Sequence, residues 1–325
     1  MQSLSSTEPI LLRPIFKDYL SGGRKLAEKY GKQSDLPRMA ESWELAAHKN
    51  GQSIVASGTY CGLQFGEYLN QVGKAALGTH GAHCDRFPVL IKFIDAKQSL
   101  SIQVHPDDAY AAKHTDDSGK TEAWYVLDAE PGAFLYHGFS KSITKEEYRR
   151  RIVDGTITEV LRAVPVKAGD VFFIPPGTVH AIGAGMLIYE VQQNSDTTYR
   201  VYDFDRVDTN GQKRPLHIED AIAVSDLHPP KLPQADTSYT DAEGNFHREV
   251  ATCAYFHTES VTFSDHATIP MTDASFGSLI LVSGTAVLHA GKTELSIKAG
   301  DSVFIPAQNA NLTISGNGEY LFTTI

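Results

Sequence analysis

The segment QSLSIQVHPDD, residues 98–108, alternates apolar and polar side chains. On a strand this places Leu100, Ile102 and Val104 on one face and Ser101, Gln103 and His105 on the other. Three polar groups on one face are the pattern of a polar site and equally of a solvated strand surface. His180 follows directly on the break Pro175-Pro176-Gly177. Glu190 stands in LIYEVQQ among apolar neighbours, where burial raises a carboxyl toward the range of a usable base. Lys120 shares strand parity with Glu122 and is expected on the same side. Lys92 lies mid-strand between Ile91 and Phe93, a costly place for an unpaired ammonium. It needs an anion, either a ligand's or a neighbouring carboxylate's, unless it snorkels out of an edge strand.

The elements that position these residues are mainly β. Short runs rich in Val, Ile, Phe and Tyr are punctuated by 26 glycines and 15 prolines, and long 3.6-residue periods are few. KAGDVFFIPPGTVHAIGAG at 167–185 recurs as KAGDSVFIPAQNANLTISG at 298–316, an offset of 131 residues. Such self-similarity predicts two similarly folded β units, each built from a Gly-Asp turn, a buried strand and a second break. Short strands so punctuated suggest jelly-roll barrels. The expected division is 1–228 for a first unit carrying helical insertions, 229–245 for a linker rich in Pro, Asp and Thr, and 246–325 for a second barrel. Helices are expected over 24–30, stopped by Gly31, from Thr144 with its Thr-x-x-Glu capping box, and over 217–224. Asp107 and Asp108 are expected to start another, over AYAAKH. His80 and His83, in THGAH, are expected to be loop residues, and Trp43 and Trp124 to be core or pocket-wall aromatics.

The frame Gly169, Pro175, Gly177, His180, spaced G-x5-P-x-G-x2-H, resembles the second signature motif of the cupin superfamily. In that family the histidine points into the barrel and binds a divalent metal. The aligned positions of the second copy are Gln308 and Asn311, so only the first barrel is expected to hold metal. The generic first cupin motif, HxH followed closely by Glu, is not matched, because Gln103 occupies the first ligand position and the acidic residue comes seventeen positions after His105. QVHPDD, GKTEAWY, PPGTVHAIG and YEVQQNSDTTYRVYDFDR, in that order, together resemble the type I mannose-6-phosphate isomerases, particularly the short bacterial form. AESWELAAHKNGQS, FPVLIKFIDA and LHI extend the resemblance over nearly the whole chain.

That resemblance implies a two-barrel cupin enzyme interconverting mannose 6-phosphate and fructose 6-phosphate by zinc-assisted proton transfer between carbon 1 and carbon 2. It places the zinc ligands at Gln103, His105, Glu122 and His180, the catalytic groups at Lys120, Glu190 and Arg200, and the phosphate contacts at Lys92 and Ser101. Two imidazoles, a carboxylate and an amide oxygen suit zinc and also other divalent metals. Which of Lys120 and Glu190 is the base stays open at this level. So do two rivals: an isomerase of another aldose or of an unphosphorylated sugar, and a cupin that binds a sugar phosphate without turning it over.

Composition narrows the partners. A net charge of −10 with no compensating basic stripe disfavours nucleic acid. Arg149, Arg150 and Arg151 are expected on a solvated helix face. The longest apolar stretch, 88–96, is interrupted by a lysine and is far short of the roughly 18 residues a membrane helix needs. No signal peptide is read at the start. Three cysteines at irregular spacing form neither a disulfide framework nor a CxxC site. The expectation is a cytoplasmic enzyme whose partner is a small-molecule sugar phosphate, with its oligomeric state left open.

Overall fold

The computed structural model describes residues 8–207, 210–231, 237–308 and 310–325. Strand exceeds helix, 44% against 16%, as the mainly β reading expects. Two antiparallel sheets form the first barrel. One contains, in order, Val171–Ile174, Glu122–Ala129, Met186–Gln193, Val89–Ala96, Glu41–Leu45 and Ile15–Lys17. The other contains Leu161–Pro165, Phe134–Phe139, His180–Ala181, Ile102–Val104 and Tyr199–Tyr202. Their inward faces share Ile94, Trp124, Leu135, Ile174, Ile182 and Met186 as one apolar core.

Each sheet also buries its outer face, which is why Val89–Ala96 and Met186–Gln193 are buried at every position rather than alternating. Ile102 and Val104 pack outward with Tyr148, Ile152, Ala221 and Ile222 of the helices Lys145–Val153 and Ile218–Val224. The alternation read over 98–108 holds only inside the strand. Leu100 precedes it and packs against the barrel interior instead. Thr144 caps its helix by accepting from the Glu147 amide, and Gly31, at φ 61°, closes Lys25–Tyr30 as expected. The helix Phe65–Val72 was not foreseen. Its cap is Gln64, whose amide donates to Glu67, and glutamine is a weak helix-start signal.

The second unit is a nine-stranded sheet running from Ser238–Thr240 through Phe246–Thr252, His257–Met271, Ala310–Thr324, Gly277–Ala290 and Ser302–Ile305, with Thr293–Lys298 paired to Gly277–Ala290 off this path. It then continues into Ile10–Arg13 and Ile54–Val55, so the division expected at 228 does not separate the sheets. The expected linker lies partly outside the described residues, at 232–236. Ser238–Thr240 within it is a strand paired with Phe246–Thr252.

The repeat is structural as well as sequential. Lys167 and Lys298 each donate a backbone N–H to Asp170 and Asp301 at 2.9 Å, and Gly169 and Gly300 take φ of 87° and 91°. Past this turn the copies diverge, since Asn311 is exposed on a long strand whereas His180 is fully buried. The six-stranded sheet's outer face meets the second unit in one aromatic-rich core containing Phe65, Phe93, Tyr189, Phe276, Phe304 and Leu321. No described helix is long and apolar enough to cross a membrane.

Candidate metal centre and active site

His105 follows the strand Ile102–Val104, His180 opens its own short strand, and Glu122 opens a strand of the facing sheet. The closure of the barrel therefore brings together residues that are 17 and 58 positions apart. His180 Nε2 lies 3.1 Å from Glu122 Oε1, and His105 Nε2 lies 3.5 Å from Glu122 Oε2. Each of the three offers a ligand atom within 4.8 Å of the others, the one such group among the described residues. Both rings are oriented from behind. His105 Nδ1 donates to the Thr197 carbonyl and His180 Nδ1 to the Thr178 carbonyl, each at 2.9 Å. A carbonyl only accepts, so the proton sits on Nδ1 and Nε2 presents its lone pair inward.

The Gly-x5-Pro frame supplies the geometry behind this. Gly177, at φ 85°, donates its N–H to the His105 backbone carbonyl at 2.9 Å, so the turn that presents His180 also holds the main chain that carries the other imidazole. A Cβ on Gly177 would stand 2.9 Å from the Val224 carbonyl oxygen.

A divalent cation fits these residues. Both Glu122 oxygens and His180 Nε2 are buried with no hydrogen-bond partner, and inward-facing N and O donors are what such an ion satisfies. Burial, then the nearby Lys120 charge, holds His105 well below the usual histidine range and keeps it neutral, as a ligand must be. Burial opposes ionisation of Glu122, yet Lys120 and the two imidazoles hold its carboxyl well below the usual range. Gln103 lies opposite both His180 and Arg200 across neighbouring strands and is half-buried.

Lys120 Nζ lies 3.1 Å from Glu122 Oε2 and 3.2 Å from His105 Nε2, against the ligand atoms themselves. Glu190 is buried on the same face of the sheet. Trp124 Nε1 donates to its Oε2 at 2.7 Å, and Lys92 Nζ pairs with Oε1 at 3.0 Å. Burial, and next the Glu122 charge, push the Glu190 carboxyl up. Lys92 is itself buried, with Glu41 Oε2 a further 3.6 Å contact. The anion it needs is thus met by carboxylates of the chain, and these raise its pKa despite burial. Ser101 is buried near the start of the Gln103 strand. Arg200 donates from one guanidinium nitrogen to the Pro215 carbonyl, and its Nε is buried without a partner.

Sequence reasoning missed the groups that hold this site in place: Trp124 as the donor to Glu190, and Asp108, Gln193 and Thr197 behind the ligands. Asp107 does cap its helix as expected, but Asp108 instead accepts from the Gly119 amide. The only available signal was that two aspartates stand where one cap suffices. His80, expected in a loop, lies on the short helix Gly78–Gly81, its Nδ1 2.7 Å from the Ile325 main-chain oxygen.

Comparison with known proteins gives the same picture. Residues 10–131 match the family model "Phosphomannose isomerase type I, catalytic domain", and residues 247–325 match "Mannose-6-phosphate isomerase, cupin domain". The chain is 38% identical to mannose-6-phosphate isomerase ManA of Bacillus subtilis, over 97% of this chain and 98% of that one. It is similar to the crystal structure of the Bacillus subtilis mannose 6-phosphate isomerase, with TM-score 0.90, 33% identity, and 98% and 99% of the two chains covered. It also shares the fold of a zinc-bound mannose 6-phosphate isomerase, with TM-score 0.78, 19% identity, and 97% and 98% covered.

Proposed function

The chain belongs to the type I phosphomannose isomerase family, and we propose that it interconverts mannose 6-phosphate and fructose 6-phosphate by moving one proton between carbon 1 and carbon 2 through an enediol. The observation that carries this reading is the convergence of His105, Glu122 and His180 on one buried point, with Lys120 against them. Such a reaction needs a base, fixed positive charge near the developing enediolate, and exclusion of water.

Gln103, His105, Glu122 and His180 would hold zinc, with the amide oxygen the weakest donor of the four. Held there, the ion would supply Lewis acidity toward the sugar oxygens. Glu190 is the base, because a buried carboxylate with a raised pKa takes up a carbon-bound proton more readily than an ordinary one. Trp124 and Lys92 fix its orientation and leave other lone pairs on its oxygens. Lys120 supplies fixed charge beside the ligand atoms, where an enediolate oxygen would develop. Arg200, with its buried unpartnered Nε, binds sugar or phosphate oxygens. Ser101 offers a hydroxyl to the phosphate. Lys92, expected beside it, is assigned to Glu190, since its charge is already shared between two carboxylates. Cys61, Cys84 and Cys253 are free thiols, which suits a reducing compartment and supports a cytosolic location.

A coupled assay of mannose 6-phosphate to fructose 6-phosphate conversion tests the reading, run before and after chelation and again after zinc is restored. Turnover that disappears with the chelator and returns with zinc is the expected result. A metal-filled protein that binds the sugar phosphate without exchanging the carbon 2 proton would be a sensor, and turnover of free mannose at the same rate would remove the phosphate from the assignment.

A further inference from the structure

Tyr255 of the second unit reaches the segment that follows His105. Tyr255 donates its hydroxyl to Asp108 Oδ2 at 2.6 Å. That hydrogen bond, and then burial, push the phenol up to about 12, so it stays a donor across neutral pH. Asp108 stands three residues after His105. Its other oxygen, Oδ1, accepts from the Gly119 amide at 2.9 Å and from Gln193 Nε2 at 3.1 Å. Gln193 in turn accepts from the Thr121 amide through Oε1 at 2.9 Å, and its backbone N–H donates to the Thr121 carbonyl at 3.0 Å. The Lys120 amide donates to the Pro106 carbonyl at 2.9 Å. One carboxylate therefore ties the segment after His105 to the segment that carries Lys120 and Glu122. The two backbones come so close that a Cβ on Gly119 would lie 2.4 Å from the Asp108 amide nitrogen.

We propose that Tyr255 is a positioning residue for the active centre: through Asp108 it sets Lys120 and Glu122 against His105, and the second barrel thereby acts on metal binding and catalysis. A carboxylate held on one side only can turn toward water, and its hold on Gly119 and Gln193 then loosens. Gln193 Nε2 also reaches Oδ2, at 3.4 Å, and the phenol, at 2.6 Å, is the closer hold on that oxygen and restrains the turn. The proposal rests on the isomerase reading for its catalytic part alone, because the metal site is defined by the chain's own donors.

The test uses the full-length zinc-loaded protein and Tyr255→Phe, which keeps the ring and removes only the hydroxyl. Loss of an outer hydrogen-bond partner of a metal ligand typically costs about 10- to 100-fold in metal affinity or activity. Tyr255 acts further out, through Asp108 and the Gly119–Thr121 backbone, so the zinc dissociation constant measured by chelator competition should rise by less, about fivefold to tenfold. kcat should fall by a similar factor while KM stays within about twofold, and the visible absorption of the cobalt-loaded protein should shift. Asp108→Asn should reproduce these changes, and combining the two substitutions should add little to either. Unchanged zinc affinity, cobalt spectrum and kcat in Tyr255→Phe would overturn the proposal. Fully multiplicative effects of the two substitutions would do so as well, since Tyr255 would then not act through Asp108. Should Tyr255→Phe fail to fold, Asp108→Asn alone decides through the same cobalt spectrum and zinc competition. Absence of mannose 6-phosphate turnover in the unsubstituted protein would instead defeat the isomerase reading and leave the metal comparisons valid.

Discussion

At the scale of single residues, the site works by placing charges where each changes the state of the next. Lys120 favours the ionised form of Glu122, and burial, then the Glu122 charge, raise the pKa of Glu190. In the proposed mechanism the two carboxylates take opposite roles, Glu122 an anion for a cation and Glu190 a base of raised pKa. With Glu190 as the proposed base, turnover should be lost as pH falls through its folded pKa. Because that pKa is raised, the acidic limb of kcat/KM should lie above about 4.3, the value of an unperturbed glutamate. Glu190→Gln should lower kcat by about 10²- to 10⁴-fold, the usual contribution of a positioned base, and its residual activity should lack this limb. A pH–rate profile of both proteins checks it. A limb that persists in the glutamine variant would belong to another group.

At the scale of elements, the repeated turn-strand unit provides its own control. Both copies keep the Gly-Asp turn and the strand after it, Val171–Ile174 or Ser302–Ile305, because the turn needs a glycine at positive φ and an aspartate to accept a backbone N–H. Only the first copy continues into a glycine that grips His105 and a histidine that faces Glu122. His180→Ala should therefore lose bound zinc and at least about 10²-fold in activity, by analogy with the loss of one catalytic group. Asn311→Ala, at an exposed position, should change neither. Zinc content by elemental analysis beside the coupled assay separates the two, and equal effects would mean that the second barrel also contributes to the site.

At the scale of the whole molecule, the barrels share a core and share strands. Phe304 of the second unit packs against Phe65 and Phe276 at ring distances of 4.9 and 5.4 Å, and Tyr189 of the first donates to, or accepts from, Thr323 at 2.8 Å. Ile10–Arg13 completes the second sheet from the chain's other end and buries Ile10 and Leu12 there. Removing residues 1–14 should thus destabilise the protein by about 3–6 kcal/mol, from two large apolar side chains at about 1.5–3 kcal/mol each. Urea unfolding should show a lower midpoint, read by a probe of the second unit such as exchange of the Val303 amide. An unchanged midpoint would mean that this strand is dispensable. The shared core also explains how a hydroxyl in the second unit can reach Asp108, since an interface this apolar and continuous fixes the separation of the two barrels.

The sequence by itself determined the β class, the repeat, the strand and turn that bear His180, and the asymmetry between the copies. Those features are local, encoded in spacing, glycine conformation and alternation over a few residues. Through four ordered motifs it also pointed to the candidate metal donors and to Lys120, Glu190 and Arg200. What only the tertiary structure decided is what each charge meets. The partner of Lys92 comes from Glu190 and Glu41, 98 and 51 residues away. The backbone carbonyl behind His105 is 92 residues on. The hydroxyl on Asp108 is 147 residues on. The sheet that Ile10–Arg13 joins was likewise hidden, because this strand carries nothing in its own residues to say what it will pair with. Pairing is settled by which unpaired edge and which apolar face the rest of the fold leaves open, and no local pattern records that.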